Sequence, residues 1–439
     1  MKRKLILGAI LLSLLTFAGC NMRTVDEMYC LPKRSVDDQK LQVAIETAMN
    51  GLEYCAPLSG EHQQSVQMAD LDGDTVPEYL VFAKGTSDRP LRILIFKEKE
   101  EEFVLVDTIE NTGTAFDQVE YVQMDDSGST EIVVGRQLSD KMLRSVSVYA
   151  YGDEEFSQIL SVNYTKFLMV DLNSDTYNEL FVLRPGQAET DNGIAELYRM
   201  QNGSIERYNE VSMSGPADQL KRIVVGKLMG QFPAVYAASA VGDNALITDV
   251  YTVYENKLSN ISFSNESGTS VNTLRNYYVY ADDIDNDGIV ELPDVSSLVS
   301  TQKEDGEQSY ELIRWYAMTL NGEEVDKLYT YHNFVGGWYL ELGNEWASLL
   351  SVTRQGSTDE LFLWDKSYKE SEKILTIHAI SAKNREELVR EGNYTVLLKT
   401  DSVIYAATLE DAGRQIGLDE ETLIRSFHLI QRDWKTGEI

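Results

Sequence analysis

Histidine, cysteine and basic charge are all scarce in this chain, and each shortage closes a route. The four histidines, His62, His332, His378 and His428, include no two at metal-ligand spacing, so packing or surface roles are expected for them rather than a histidine-based centre. A Gly-x-Ser-x-Gly elbow, a phosphate-binding loop of the Gly-x-x-x-x-Gly-Lys type and a His-Glu-x-x-His helix are all absent, which removes the usual sequence marks of an activated serine, a nucleotide site and a zinc protease. Lys and Arg number 39 against 71 Asp and Glu, a net charge of −32. Such a chain repels phosphate backbones, so nucleic acid is excluded as a partner. Beyond the N-terminus no stretch reaches eighteen apolar residues, the length a membrane-spanning helix needs.

What is present argues for a folded, exported protein. Hydrophobic residues make up 43% and aromatics 10% of the chain, enough to build a large core in more than one domain. Lys2, Arg3 and Lys4 precede an apolar run, Leu5 to Phe17, that fits the h-region of a signal peptide and is short for a membrane span. The run ends in Phe-Ala-Gly-Cys, which resembles the lipobox of bacterial lipoproteins, with Phe17 standing where Leu is usual. That resemblance implies a signal peptide over residues 1–19 and a lipidated Cys20 as the mature N-terminus. The expected location is extracytoplasmic, anchored to a bacterial membrane. Cys30 and Cys55 then remain, either as a disulfide, which that compartment permits, or as two free thiols.

Residues 20–59 read as a tether followed by one amphipathic helix from Ser35 to Leu52, with Leu41, Ile45, Ala48, Met49 and Leu52 at helical spacing. Beyond it the chain turns to short runs of Val, Ile, Tyr, Phe and Leu broken by polar turns, as in EYLVFAKG, EIVVGRQL and ELFVLRPG. These are strand signals, and no long helical pattern intervenes until about residue 380. Corresponding turns begin at Asp70, Asp125, Asp171, Gly226 and Asp283, in steps of 55, 46, 55 and 57 residues. A period near fifty with about four strands per unit is that of a propeller blade. The expected fold is therefore mainly β: a β-propeller with about five recognisable blades over 60–332, followed by a C-terminal α+β domain over 333–439. In that last part Asn384 to Glu391 reads as a short helix with a capping-box-like pair, and Asp419 to Trp434 as a second.

Three of the five turns carry acids or amides at positions 1, 3, 5 and 9. They are Asp70, Asp72, Asp74 and Glu78; Asp171, Asn173, Asp175 and Glu179; and Asp283, Asp285, Asp287 and Glu291. Oxygens on alternate residues of a tight loop face one point, and calcium takes six to eight such hard ligands. The position 7 carbonyls of Val76, Tyr177 and Ile289 can join them. An EF-hand closes at position 12 between helices, whereas these loops close at 9 between strands. The arrangement resembles the FG-GAP or VCBS-type repeats of integrin-like propellers, in which such a loop joins two strands of a blade and binds calcium. The apolar residue at position 2 (Leu71, Leu172, Ile284) fits that family, whereas Thr75 and Thr176 stand at position 6 where Gly is usual. The turn from Asp125 to Glu131 is two residues shorter and is expected to be empty, as is the acid-free fourth turn. Recurrence on separate blades makes a structural Ca2+ the expectation, not a catalytic one.

Trp315, Trp338, Trp346 and Trp364 could form a sugar-stacking surface but fit core positions better. The expected function is a non-enzymatic, calcium-stabilised scaffold presenting a face to a protein or glycan at the cell surface. The alternative is an exported hydrolase or lyase acting in the propeller's central opening.

Overall fold

A computed structural model of the protein describes residues 36–139, 143–152, 155–188, 191–298 and 310–430. The chain is mainly β. It groups into two compact units, one holding the described residues up to Ala56 with Gln64–Ala69 and Pro77–Thr112, the other Pro57–Gln63, Asp70–Val76 and the described residues from Gly113 onward.

The first unit has one antiparallel sheet. Glu78–Lys84 pairs with Val66–Ala69, with the short Glu53–Tyr54 and with Leu91–Lys99, which is followed by Glu102–Asn111. The helix Val36–Ala48 precedes it. Its Ile45 is buried with Val81, Leu94 and Phe96 of the sheet, the face expected from its periodicity. Ser35, where the helix was expected to begin, lies outside the described residues.

The second unit holds five sheets. Ala115–Val122, Glu131–Gln137, Arg144–Gly152 and Glu155–Tyr164 form the second sheet in simple up-and-down order. Lys166–Val170, Glu179–Arg184, Ile194–Gln201 and Ser204–Ser212 form the third, and Leu220–Lys227, Pro233–Val241, Ala245–Tyr254 and Lys257–Asn260 the fourth. The fifth contains Glu291–Ser297, Glu311–Met318, Glu324–Asn333 and Trp338–Leu342, with Phe427–Leu429 added at its edge. Leu350–Gln355, Thr358–Trp364, Ser371–Ile380, Ile404–Leu409 and Thr395–Lys399 make the sixth.

Alternation of side chains explains how these sheets are held. Successive residues of a strand point to opposite faces. In Glu179–Arg184, Leu180 and Val182 join Val133 and Val146 of the second sheet, while Phe181 and Leu183 join Val235 and Tyr251 of the fourth. The strand is buried on both faces, hence its unbroken apolar run. The outer strand Ser204–Ser212 is covered less and mixes exposed and half-buried positions. The same face-to-face stacking joins the fourth sheet to the fifth through Tyr236, Val250, Leu292 and Tyr316. It joins the fifth to the sixth through Leu312, Tyr331, Leu350 and Leu361.

A second repeat accompanies the acidic turns. The ladder shifts register by a bulge at Ile95/Phe96, Val148/Tyr149, Leu197/Tyr198, Trp315/Tyr316 and Leu361/Phe362. Each time an aliphatic or Trp residue is followed by Phe or Tyr. A bulge inserts an extra residue and sharpens the local twist, so the aromatic marks the same event in five sheets, the sixth included. That sixth sheet falls in the region where no further unit of the acidic repeat was expected.

The boundary expected at 333 falls inside the fifth sheet, where His332 is opposite Tyr339 across a ladder. The chain also returns to that sheet at its far end. In the described part of the segment expected as one helix from Asp419 to Trp434, Glu420–Ser426 is helical and Phe427–Leu429 instead pairs with Trp338–Leu340. Asp419 caps the short helix by accepting from Thr422 N at 2.7 Å. Leu423 and Phe427 sit in the core with Trp338 and Tyr405. The helix Arg385–Glu391 forms, but Asn384 makes no side-chain capping bond, and the 384–387 contact is instead Glu387 N to the Asn384 carbonyl at 3.0 Å.

Candidate metal centres

Each acidic turn lies between two neighbouring strands of a sheet or of its approach. The third loop follows Val279–Ala281 and is closed by the backbone bridge Asp282–Glu291 before Glu291–Ser297 begins. Its position 1 carboxylate organises the backbone: Asp283 Oδ1 accepts from Asp287 N at 2.9 Å, and Oδ2 from Gly288 N at 2.9 Å. Asp171 does the same in the second of the three loops, with Ser174 N at 2.7 Å on Oδ1 and Thr176 N at 2.9 Å on Oδ2. In the first loop Asp70 holds Gly73 N at 2.9 Å and Thr75 N at 3.0 Å. The position 5 carboxylate caps position 7 in all three, at 2.8 Å for Asp74 to Val76 N, 2.9 Å for Asp175 to Tyr177 N and 2.9 Å for Asp287 to Ile289 N.

Wrapping nine residues this way forces the left-handed region at positions 4 and 6. The φ angles are 76° and 72° at Gly73 and Thr75, 64° and 79° at Ser174 and Thr176, and 59° and 84° at Asn286 and Gly288. Glycine tolerates that conformation and a β-branched threonine does not. Thr176→Gly should therefore relieve strain and stabilise the protein by about 1 kcal/mol in chemical denaturation. A destabilised variant would show that the threonine side chain contributes something its conformation does not suggest.

The closing acids are buried. Glu179 is 3% exposed and Glu291 0%, and each accepts from the N–H of position 2, Leu172 at 2.9 Å and Ile284 at 3.2 Å. Carboxylate oxygens of Asp171, Asp175 and Glu179 lie within 4.8 Å of one another, as do those of Asp283, Asp285 and Glu291. Burial first, and then neighbouring acids, push the Glu179 carboxyl up to about 7 and the Glu291 carboxyl up to about 8. Crowded, desolvated acids are what a cation would relieve. Glu291 Oε1 is itself buried without a hydrogen-bond partner. An orphaned anionic oxygen beside two converging carboxylates fits a hard cation bound through oxygen.

Two other groups moderate the charge. Lys327 Nζ bonds Asp287 and stands 3.5 Å from Asp285 Oδ2. In the second loop Asn173 donates its amide to both Asp175 and Glu179, so the ligand role expected for its oxygen requires the amide to turn over. Four carboxylates less Lys327, and three carboxylates with a neutral Asn173, leave the two loops with the same formal charge. The turn Asp70–Val76 groups with the second unit. Glu78 opens a strand of the first unit, where its Oε1 is 3.3 Å from Lys97 Nζ.

The turn expected to be empty retains the closing acid. Glu131, 2% exposed, accepts from Met124 N at 2.9 Å. The acid-free turn is closed by Leu228 N to the Phe232 carbonyl at 2.8 Å, with Lys227 Nζ donating to Gln231 Oε1 at 2.9 Å. Sequence reasoning found the acidic positions but not this common device, a buried glutamate bonded seven residues back. The signal was an acid at the first position of a strand that is otherwise apolar, present at Glu78, Glu131, Glu179 and Glu291.

The remaining expected residues serve packing. His332 is buried, stacked on Tyr339 at 5.0 Å, and burial lowers its pKa to about 3. His378 stacks on Tyr394 at 4.3 Å and His428 meets Glu341 at 2.8 Å. Trp315, Trp338 and Trp346 are core residues. Cys55 is half-buried, whereas Cys20, Cys30 and Trp434 lie outside the described residues. Among the described residues no helix is long and apolar enough to cross a membrane.

No protein-family model and no curated protein matches the sequence. Among solved structures the chain is similar to the exotype rhamnogalacturonan lyase YesX, at 12% identity and a TM-score of 0.31, over 72% of this chain and 76% of that one. It is also similar to a protein from Lactobacillus plantarum, at 9% identity and a TM-score of 0.26, over 74% and 95%. A Bacillus licheniformis rhamnogalacturonan lyase aligns at 14% identity and a TM-score of 0.30, over 73% and 72%. No residue role is carried over from proteins at this distance.

Proposed function

We propose that this protein is an exported, lipid-anchored scaffold, a β-propeller whose acidic turns are set by calcium and whose face binds a protein or glycan. The observation that carries the reading is a hydrogen-bond plan common to the acidic turns, position 6 N–H to the position 1 carboxylate and position 7 N–H to the position 5 carboxylate, joined in two of them to converging carboxylates of which the closing glutamate is buried. Local turn preference accounts for Asp and Asn in a loop. It does not account for a glutamate carboxyl buried beside two more acids. Oxygen-only donors on a flexible loop suit calcium better than magnesium, which demands a tight octahedron and keeps its waters. The ion supplies charge neutralisation. The chain's own residues do the rest: position 1 gathers the loop amides, position 5 pins position 7, and the glutamate ties the loop to the strand that follows.

The resemblance to FG-GAP and VCBS-type repeats supports the same reading, as does the face-to-face stacking of successive four-stranded sheets, the way propeller blades cover one another. Lipidation of Cys20 would hold this strongly acidic body at a membrane surface that its charge alone would not seek. The core positions of Trp315, Trp338 and Trp346 remove those three from any binding face. A panel of polysaccharides and cell-envelope proteins, presented with calcium and then with chelator, tests the function. Retention that chelator abolishes, with the glycan recovered intact, is expected. New reducing ends or unsaturated products would instead establish the hydrolase or lyase alternative.

A further inference from the structure

Each of the five bulges leaves one residue without an opposite number across its ladder. In the first, second, third and sixth sheets that residue is Val106, Ile159, Tyr208 and Ile374. In the fifth it is Lys327, set between Asp326, opposite Tyr316, and Leu328, opposite Trp315. Four of these residues are apolar or aromatic, and one is a cation. None is exposed: Ile374 is buried and the others are half-buried. A bulge re-aims the side chain it carries. In the fifth sheet the ammonium meets the third acidic turn, reaching a residue 40 positions earlier in the chain.

The oxygens that Lys327 meets are those left over by the backbone of the loop. Asp283 gives both carboxylate oxygens to the amides of Asp287 and Gly288. Asp285 Oδ1 accepts from Asp287 N at 3.2 Å, and Asp287 Oδ1 accepts from Ile289 N. Glu291 Oε2 holds Ile284 N. What remains is Asp285 Oδ2, Asp287 Oδ2 and the buried, unpartnered Glu291 Oε1. Lys327 Nζ bonds Asp287 Oδ2 and stands 3.5 Å from Asp285 Oδ2. Its side chain is 18% exposed, so the contact is screened less than an ion pair on open surface. Carboxylate oxygens of Asp283, Asp285 and Glu291 converge within 4.8 Å. A divalent cation held there would share Asp285 with the ammonium, and the two positive charges would repel.

Resting on the calcium reading of the acidic turns, we propose that Lys327 competes with calcium for Asp285 and Asp287 and thereby sets the affinity of the third turn. A lysine suits that task, because its compact charge sits on a flexible stem that can withdraw. The third turn has four carboxylates where the second has three and Asn173, and the lysine offsets the fourth. At low calcium it compensates the crowded acids, and at high calcium it gives them up. One residue at a bulge thus tunes one turn of an otherwise repeated set.

Calcium titration calorimetry of the purified protein, with melts in calcium and in chelator, compares the parent with three variants. Lys327→Met is close in size and restores the apolar character of the other bulge positions. Lys327→Gln is neutral and polar, and Lys327→Arg keeps the charge. One site should bind calcium about tenfold more tightly in the Met and Gln variants. Their melting temperatures in chelator should fall, because the carboxylates lose their cation. The Arg variant should stay near the parent in both readouts. Adding Glu291→Gln to Lys327→Met should remove the gain, which places it at the third turn. Unchanged calcium affinity in both neutral variants would overturn the proposal and leave Lys327 an ordinary ion pair, with the calcium reading intact. Weaker binding in both would overturn it as well, since Lys327 would then be holding Asp287 in place for the ion. No calcium uptake by the parent itself would remove the calcium reading, and this proposal with it.

Discussion

Replacing Glu291 with glutamine should have opposite effects with and without calcium. The glutamine oxygen can still accept from Ile284 N, the bond Glu291 Oε2 makes at 3.2 Å, so the strand keeps its anchor. What the substitution removes is the charged form of a buried carboxyl, which takes over only above about pH 8 in the absence of a cation and is crowded by Asp285 and Asp287. In chelator the variant should be as stable as the parent or more so, because the repulsion is gone. In calcium it should be less stable, because a charged ligand is lost. Loss of a partner one shell further out typically costs 10–100-fold in metal affinity, so a direct ligand should cost on the order of 100-fold at that site. That is roughly 2.7 kcal/mol of calcium-dependent stability. Glu179→Gln should behave alike. Paired melts in calcium and in chelator read the crossing directly. A variant that shifts equally in both conditions would mean the glutamate is only a strand anchor.

Glu131→Gln, in the shortened turn, should reveal a pH dependence that owes nothing to metal. Burial raises the Glu131 carboxyl to about 7 from an ordinary 4.5, with the charge of Asp125 adding and the Met124 N–H opposing. Between those two values the folded state holds a proton that the unfolded state has released. The contribution of this group is therefore fully present below about 4.5 and is lost as pH rises through 7. Glutamine carries no such proton. Relative to its value at pH 4.5, the stability of the variant minus that of the parent should rise by about 3 kcal/mol at pH 8. Urea denaturation at the two pH values measures it. A constant difference would place the Glu131 titration in the ordinary carboxylate range.

The acidic turns were legible because their chemistry depends on side-chain spacing, which is written directly in Asp283, Asp285, Asp287 and Glu291. Strand positions were legible for a similar reason, since strands buried on both faces, such as Glu179–Arg184, read as unbroken apolar runs. The sixth sheet was not, because it lacks the acidic turn used to count units. Its membership shows in the bulge at Leu361/Phe362, a feature of backbone pairing. The last strand was hidden more thoroughly. Leu423, Phe427 and Ile430 recur at helical spacing and are all buried, but Phe427–Leu429 gains that burial as a strand against Trp338–Leu340. Tertiary pairing overrode a periodic pattern there. Thr75 and Thr176 hid the left-handed backbone at position 6, because a β-branched residue argues against the conformation it adopts.

Titration calorimetry of calcium into the purified, chelator-treated protein, with melting followed in parallel, tests the central claim most directly. Uptake of two or three ions per chain with a large rise in melting temperature is the predicted result. No uptake at millimolar calcium, with an unchanged melt, would contradict it: the acidic turns would then be turns alone, and the calcium-stabilised scaffold would fall with them.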